Sequence, residues 1–167
     1  LFPCPTLFRS ASNEDYVTSN NFAEFAASFA SKLLGEDHSL TKVIYTELAQ
    51  SYELLGRFED SYKILQSLCH HNIEEKLFYL DIVQKLADIS HIKEDFVNAA
   101  QYYNKVFELC KKLDANNTLS IEALMNSAID WCRAGNYQKG HDLFISAANL
   151  TKYQLLADDT QDGSGGN

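Results

Sequence analysis

Cys69-His70-His71 is the one local cluster in the sequence whose side-chain types could hold a metal ion. Neighbouring residues on a helix point about 100° apart, and no second pair with zinc-site spacing occurs, so the three cannot surround a tetrahedral ion by themselves. A helix end, where a protonated histidine lies favourably beside the free carbonyl groups, explains the cluster better. His91 and Asp88 lie about one helical turn apart and are interpreted as a surface pair. We predict no metal site.

A cysteine nucleophile is the second chemistry to consider, because Cys132 and His141 could meet across a helix hairpin as a thiolate–imidazole pair. The sequence offers neither an oxyanion hole nor a third group to orient the histidine. The glycines Gly35, Gly56 and Gly135 stand singly at predicted helix ends, so no glycine-rich loop is available to hold a phosphate group. The sequence therefore predicts a protein that is not an enzyme, with no catalytic residues and no cofactor.

Composition and charge indicate which kinds of partner, such as a membrane, a nucleic acid or a protein, the chain could bind. The 167 residues are 46% apolar and 22% charged, with a formal net charge of -9. No run reaches the roughly 18 apolar residues of a membrane helix. No cluster of Lys and Arg is available to displace the counterions of a nucleic acid or to bind an anionic membrane. We therefore expect another protein as the partner, with no nucleic acid and no membrane.

The four cysteines, at positions 4, 69, 110 and 132, form no CxxC pair. Their number and spacing predict free thiols in a reducing compartment rather than a disulfide framework. The N-terminal residues do not form a charged-then-apolar leader. We predict an intracellular protein, cytoplasmic or nuclear. The first residue is Leu1 rather than Met, which suggests a fragment of a longer polypeptide.

Helix breakers are rare in this chain, since its two prolines are Pro3 and Pro5. Apolar residues recur with a helical period, and no segment alternates like a strand, so we predict an all-α chain of about seven helices. Residues 1–15 are predicted as an irregular lead-in, 16–157 as the helical domain and 158–167 as a flexible acidic and glycine-rich tail. The predicted helices are Asn21–Leu34, Leu40–Leu55, Phe58–Cys69, Ile73–Ile92, Phe96–Leu113, Leu119–Ala134 and Tyr137–Leu156.

Four large apolar residues mark the first of these helices. Phe22, Phe25, Phe29 and Leu33 follow one another at spacings of three and four. That spacing places them on one side of a helix, as the apolar stripe by which an amphipathic helix packs against its neighbours. We expect this stripe to face the core.

Three turn regions of the sequence, 54–65, 92–103 and 133–144, superpose. In each, an aromatic residue follows the turn, a small residue comes three positions later, a bulky residue comes four positions after that, and an alanine lies nine positions before the aromatic. Antiparallel helices approach closely only where side chains are small, so the alanine and the small residue mark the crossing of a hairpin. The aromatic and bulky residues would fill the space to the next hairpin. The positions are Ala49, Phe58, Ser61 and Leu65; Ala87, Phe96, Ala99 and Tyr103; and Ala128, Tyr137, Gly140 and Phe144.

This set of positions resembles the tetratricopeptide repeat (TPR) superfamily from Lys42 to roughly Leu156. The aromatics lie 38 and 41 positions apart instead of the family's 34, and the closing proline of the family's repeat is absent. The sequence therefore resembles a divergent, long-repeat type. Repeats of this length look more like those of kinesin light chains and spindle-orientation adaptors than those of chaperone cofactors. It implies a right-handed α-solenoid of antiparallel helix hairpins at about 40–70, 73–113 and 118–156. The competing interpretation is an unrelated helical bundle or a solenoid of the proteasome-lid kind.

The resemblance also implies that the first helix of each hairpin lines a concave, peptide-binding groove. The family's clamp for acidic C-terminal tails is not retained: of its positions, Thr46, Gln50, Lys85, Glu122 and Asn126, only Lys85 is basic. We expect instead a peptide or helical segment with apolar and basic character, steered by carboxylates and held by apolar contacts. The groove residues are Gln50, Glu53, Gln84, Asp88, His91, Glu122, Met125, Ile129 and Cys132, with Val43, Thr46 and Asp81 as further inward positions.

These patterns together predict a non-enzymatic scaffold or adaptor for protein–protein interaction. The alternative is an architectural solenoid segment of a large multiprotein assembly, with no free ligand in its groove. Three repeats are about the minimum for stability, and terminal hairpins need a polar outer face. The end at Tyr153–Leu156 supplies only part of such a face. We therefore expect either further repeats in a longer protein or self-association through a terminal face.

Overall fold

The computed structural model describes residues 13–70, 76–113 and 117–162. Within these residues the chain forms seven α-helices and no β-strand, as predicted. The first twelve residues with Cys4, the segments 71–75 and 114–116 and the last five residues of the predicted tail lie outside the described residues. The helices are α1 Asn13–Leu34, α2 Ser39–Leu54, α3 Phe58–His70, α4 Lys76–Ile92, α5 Phe96–Lys112, α6 Asn117–Arg133 and α7 Tyr137–Asp162.

The chain divides into two compact units, Leu1–Asn72 and Ile73–Asn167. The first unit contains α1 to α3 and the second contains α4 to α7. Inside each unit, helices that follow one another along the chain pack together. Because short connections join them, consecutive helices run antiparallel and form hairpins.

The turns of the α2–α3, α4–α5 and α6–α7 hairpins have the same hydrogen-bond pattern. Gly56 and Gly135 have φ values of 72° and 84°, in the left-handed region that glycine adopts without strain. Beside Gly56, the N–H of Arg57 donates to the carbonyl of Tyr52 at 2.8 Å, the long bond of a Schellman motif. In the middle hairpin Glu94 takes the glycine's place, with φ 60°. The sequence predicts this turn as well, but it does not mark the left-handed residue, since glutamate is rare in this conformation.

Small residues lie at the helix crossings, as predicted. Ala87 and Ala99 are completely buried and pack together with the ring of Tyr103. In the last hairpin a Cβ added to Gly140 would lie 2.8 Å from the carbonyl oxygen of Ala128, closer than real Cβ contacts come. The helix axes can therefore approach only because these side chains are small or absent.

Two helices extend six residues or more beyond their predicted ends. α1 begins at Asn13 rather than Asn21, and α7 ends at Asp162 rather than Leu156. Residues 13–15 and 158–162, predicted as parts of the lead-in and the tail, are therefore helical. The predicted ends followed the limit of the apolar pattern, but polar residues of adequate helix propensity continue a helix where no glycine or proline interrupts it.

The apolar stripe of α1 does not face the core, contrary to the prediction. α1 packs on α2 through alanines: Ala27 is buried against Leu48 and Tyr52, and Ala23 packs against the same cluster. The alanine side permits a close crossing, and this leaves the opposite side of the helix in solvent. That exposed side carries the stripe: Phe22 is 70% exposed, Phe25 71%, Phe29 58% and Leu33 68%.

The large residues of the last hairpin are also more exposed than the repeat predicts. Leu65 and Tyr103 are buried, whereas Phe144 is 39% exposed and the neighbouring repeat aromatic Tyr137 is 71% exposed. These positions were expected to fill the space to a following hairpin. No described helix follows α7, so here the two side chains lie in solvent.

Candidate functional site

The predicted groove residues lie on α2, α4 and α6, the first helices of the three hairpins. Two of them, Gln50 and Glu53, belong to the first unit. Gln50 is exposed, and Glu53 is half-buried. One carboxylate oxygen of Glu53 accepts a hydrogen bond at 3.0 Å from the hydroxyl of Ser61, the buried crossing residue of α3. Glu53 therefore binds within its own hairpin and keeps the remainder of its carboxylate available to solvent.

Asp88, on α4, likewise bonds within its own hairpin. Its Oδ1 accepts a hydrogen bond from the hydroxyl of Tyr103 at 2.6 Å. Burial of the phenol, together with this contact to a carboxylate, raises the pKa of Tyr103 far above its ordinary value. The tyrosine thus stays neutral and fixes the position of one oxygen of Asp88 at the surface of α4.

His91, at the end of α4, contacts two charged side chains of α6, those of Asp130 and Arg133. Its Nδ1 lies 2.8 Å from Oδ1 of Asp130, and its Nε2 lies 3.1 Å from a guanidinium nitrogen of Arg133. A neutral His91 with its proton on Nδ1 satisfies both contacts, because Nδ1–H donates to the carboxylate and Nε2 accepts from Arg133. The ring also meets Phe96 edge-on, with centroids 6.1 Å apart. Asp88, the expected partner of His91, bonds Tyr103 instead.

Asp130 is the buried member of this network. Its side chain has no solvent exposure, and its Oδ2 has no hydrogen-bond partner. Burial raises the pKa of Asp130, and the hydrogen bond from His91 opposes that rise. The structural role of the network is to join the ends of α4 and α6, the first helices of consecutive hairpins.

Sequence reasoning missed Asp130 and Arg133, although one signal was available. Asp130 lies three and seven residues after Ser127 and Ala123, and both of these are buried. A carboxylate in register with a buried helix face requires a partner from another element. The spacing of hydrophobic residues alone did not reveal that this partner is His91, since the two lie 39 residues apart.

α6 carries a mixed face that is open to solvent. Glu122 is exposed and Met125 is 43% exposed, while Ile129 and Cys132 are half-buried, and the Sγ of Cys132 packs against Gly140 of α7. The four recur at helical spacing, so they form one stripe with a carboxylate at its start and apolar groups after it. The α6 stripe, defined by these four residues, can steer a cation and offer an apolar contact. Gln84, the remaining groove residue, is half-buried on α4.

A second polar network joins the helices of the first unit. Oε1 of Glu24 accepts hydrogen bonds from the hydroxyl of Tyr52 and the amide of Asn20, both at 2.8 Å. Arg57 lies over the ring of Tyr52, 4.2 Å from its centroid, and reaches the same oxygen at 3.4 Å. The hydrogen bonds from Tyr52 and Asn20 lower the pKa of Glu24, while burial and then the contact with Glu24 raise that of Tyr52 to about 12.

Neither of the other reactive clusters of the sequence forms a site among the described side chains. No group of three or more potential metal ligands occurs in that part of the chain. His71 and the side chain of His70 lie outside it. The thiols of Cys110 and Cys132 are free, and His141 is exposed and lies near Asp142. No described helix is both long and apolar enough to cross a membrane.

Comparison with known proteins gives matches in structure and none in sequence. No family model matches the sequence, and no curated protein matches it. BtubC (BKLC) from P. vanneervenii superposes with a TM-score of 0.68 and 16% identity, over 91% of this chain and 60% of that one. The nearly identical TPR-like repeats of a protein described as a kinesin light chain, from Podosopora anserina, superpose with a TM-score of 0.68 and 15% identity, over 85% of this chain and 70% of that one.

Identities this low establish the fold alone. The chain has the fold of TPR-type helical repeats, and the resemblance predicted from the three turn regions is confirmed. It spans 60% of the length of BtubC.

Proposed function

We propose that this TPR-type helical repeat is a non-enzymatic scaffold that binds another protein through a peptide or helical segment. The α6 stripe is the observation that carries the proposal. Met125, on the first helix of a hairpin, is 43% exposed although it is a large apolar residue, and exposed Glu122 lies one turn before it. An apolar anchor beside a carboxylate suits a ligand with both apolar and basic side chains.

Charge supports the same ligand. The chain has a net charge of -9, and exposed carboxylates occur on the first helices of the second unit at Asp81, Asp88 and Glu122. Opposite charge raises the rate of encounter, while burial of apolar side chains slows dissociation. In the first unit the equivalent positions are Gln50 and Glu53, which we propose as contacts for the same class of ligand. The free thiols of Cys110 and Cys132 accord with the intracellular location we propose.

A second candidate function is architectural, as part of a larger assembly whose groove binds no free ligand. The internal bonds of the groove side chains favour it. Glu53 bonds Ser61, Asp88 bonds Tyr103 and His91 bonds Asp130. These groups would contribute less to a ligand because they are already bonded.

Selection from a random 16-residue peptide library against the full chain tests the proposal. We expect enrichment of peptides that combine Lys or Arg with Leu, Ile, Phe or Met. The enriched peptide should bind Met125→Ser and Glu122→Lys each about tenfold more weakly by fluorescence anisotropy, because each change removes an interface contact. Glu108→Lys, the same change of charge on the exposed side of α5, is the control.

Two results would contradict groove binding. One is the absence of any enriched peptide, which would favour the architectural alternative. The other is an enriched peptide whose affinity is the same for wild type, Met125→Ser and Glu122→Lys, since the α6 stripe would then lie outside the binding site.

A further inference from the structure

The exposed side of α1 is apolar along most of its length. We call Phe22, Phe25, Phe29 and Leu33 the aromatic face of α1; each of the four is more than half exposed. The rings of Phe25 and Phe29 are stacked, with centroids 6.3 Å apart and planes 16° from parallel. The two rings therefore form one contiguous apolar patch in the middle of the face.

The area of this face is comparable to the largest apolar patch of an ordinary monomer, a size that is often functional. A buried aromatic side chain covers about 150–250 Å², so the exposed fractions of the four residues amount to roughly 500 Å². The largest apolar patch of an ordinary monomer is about 300–600 Å² and often functional, and a stable interface needs about 800 Å² per partner. The aromatic face provides more than half of that area, which leaves roughly 300 Å² for the residues at its rim.

The spacing of the four residues makes the face complementary to itself. Two copies of α1 that pack antiparallel about a two-fold axis near the midpoint of Phe25 and Phe29 bring Phe25 of one copy opposite Phe29 of the other. The same pairing brings Phe22 opposite Leu33 of the other copy. A two-fold interface uses the same patch on both subunits, so a near-palindromic stripe meets its requirement. The two ring pairs then contact each other through aromatic side chains.

Charge is compatible with a second copy. Lys32, the one basic residue of α1, lies at the edge of the aromatic face. With a rise of 1.5 Å per residue, the antiparallel pairing separates the two Lys32 residues by about 14 Å along the axis. That distance exceeds the screening length of about 8 Å at physiological ionic strength, so the two ammonium groups repel each other little.

We propose that the aromatic face of α1 is the interface of an antiparallel, two-fold dimer of this chain. The interface is formed by the first unit and makes no use of the α6 stripe. Its test is therefore independent of the proposed peptide binding, and either proposal can fail without the other.

Sedimentation equilibrium of the full chain between about 1 and 200 µM tests the dimer. Wild type should change from monomer to dimer within this range. Phe25→Glu should weaken association at least thirtyfold, because each dimer loses two central rings and buries two unpaired carboxylates, each opposite Phe29 of the other copy. Tyr137→Glu is the matched control, since Tyr137 is as exposed as Phe25 at 71% but lies on α7. Its association should equal that of wild type.

Salt and a milder variant make the test decisive. Raising NaCl from about 50 to 500 mM should leave association unchanged or strengthen it, because the interface is apolar and both copies carry a charge of -9. Phe22→Ser should weaken association while the circular dichroism spectrum stays that of the folded chain. A wild type that is monomeric at 200 µM, a folded Phe25→Glu that dimerises like wild type, or association weakened by salt would each overturn the proposal.

Discussion

Asp130 is completely buried in a protein whose other charged side chains lie mainly at the surface. One of its oxygens bonds His91 and the other has no partner. Burying a charge with half of its hydrogen-bonding capacity unused costs stability, and the raised pKa of Asp130 expresses that cost. The network with His91 and Arg133 joins α4 to α6, while the negative charge of Asp130 destabilises the folded state.

The pH dependence of stability follows from the direction of this shift. Because the folded pKa of Asp130 lies above the ordinary 3.8, the folded state binds its proton before the unfolded state does. The stability contributed by the protonated group is present below pH 3.8 and is lost as pH rises through the folded value. The asparagine of Asp130→Asn is neutral at every pH. The free energy of unfolding of Asp130→Asn, relative to that of wild type, should therefore be highest at pH 7 and should fall as pH falls towards 4.

Urea unfolding of both proteins between about pH 4 and 8 measures this difference. Asp142→Asn is the control, since the side chain of Asp142 is 63% exposed, and its difference from wild type should stay nearly constant. A relative stability of Asp130→Asn that grows on acidification would contradict the assigned direction.

At the scale of the element, the helix crossings decide which side of each helix is buried. The same rule buries Ala87 against Ala99 and turns the alanine side of α1 towards α2. Large residues are then directed away from the crossing. In α1 this places Phe25 and Phe29 in solvent. The prediction of an apolar stripe on α1 was therefore correct, but the prediction that the stripe faces the core was wrong.

Gly140→Ala tests the crossing of α6 and α7. In an exposed helix this change stabilises by about 0.5–1 kcal/mol. Here the added methyl group would overlap the Sγ of Cys132 and lie 2.8 Å from the carbonyl oxygen of Ala128. We expect the free energy of unfolding to fall by about 1–3 kcal/mol, because overpacking forces the helices apart.

Thermal and urea denaturation measure the effect of Gly140→Ala. Ser146→Ala, at an exposed position of the same helix, should change stability by less than about 0.5 kcal/mol. Adding Cys132→Ala should restore part of the loss, because it removes one of the two clashing groups. A Gly140→Ala protein more stable than wild type would show that the crossing is looser than described.

At the scale of the whole molecule, the two units each have a core of their own. Leu48 packs with Ala27 and Tyr52 in the first unit, and Ala87, Ala99 and Tyr103 pack together in the second. Contacts in a repeat protein are mostly between neighbouring elements, so stability is distributed along the chain. Local opening should accordingly follow the units.

Core substitutions in the two units should loosen different helices. Leu48→Ala and Leu86→Ala each remove a buried side chain and should cost about 2–5 kcal/mol. Hydrogen exchange measured by mass spectrometry should show the greatest loss of amide protection in α1–α3 for Leu48→Ala and in α4–α7 for Leu86→Ala.

Exposed leucines supply the matched controls for this comparison. Leu54 is 56% exposed in the first unit and Leu77 is 69% exposed in the second, and replacement of either by alanine should leave protection nearly unchanged. Equal loss of protection in all seven helices after either core substitution would mean that the two units open together.

Local rules determined much of this protein from its sequence. Apolar spacing predicted the seven helices of the described residues. The glycine turns and the alanines at the crossings predicted the hairpins and the TPR-type repeat, because each of these depends on residues close together along the chain. The turn between Ile92 and Phe96 was predicted, but the left-handed conformation of Glu94 within it was not, since glutamate does not signal that conformation.

Only the tertiary structure decided what depends on distant residues. The bond between His91 and Asp130 spans 39 positions, and the environment of Phe25 and Phe29 depends on which side of α1 fits α2. Helical periodicity states that one side of a helix is apolar, but the shape of the neighbouring helix decides whether that side is buried. For this reason the sequence identified the aromatic stripe, while the structure revealed it as a surface available to a partner.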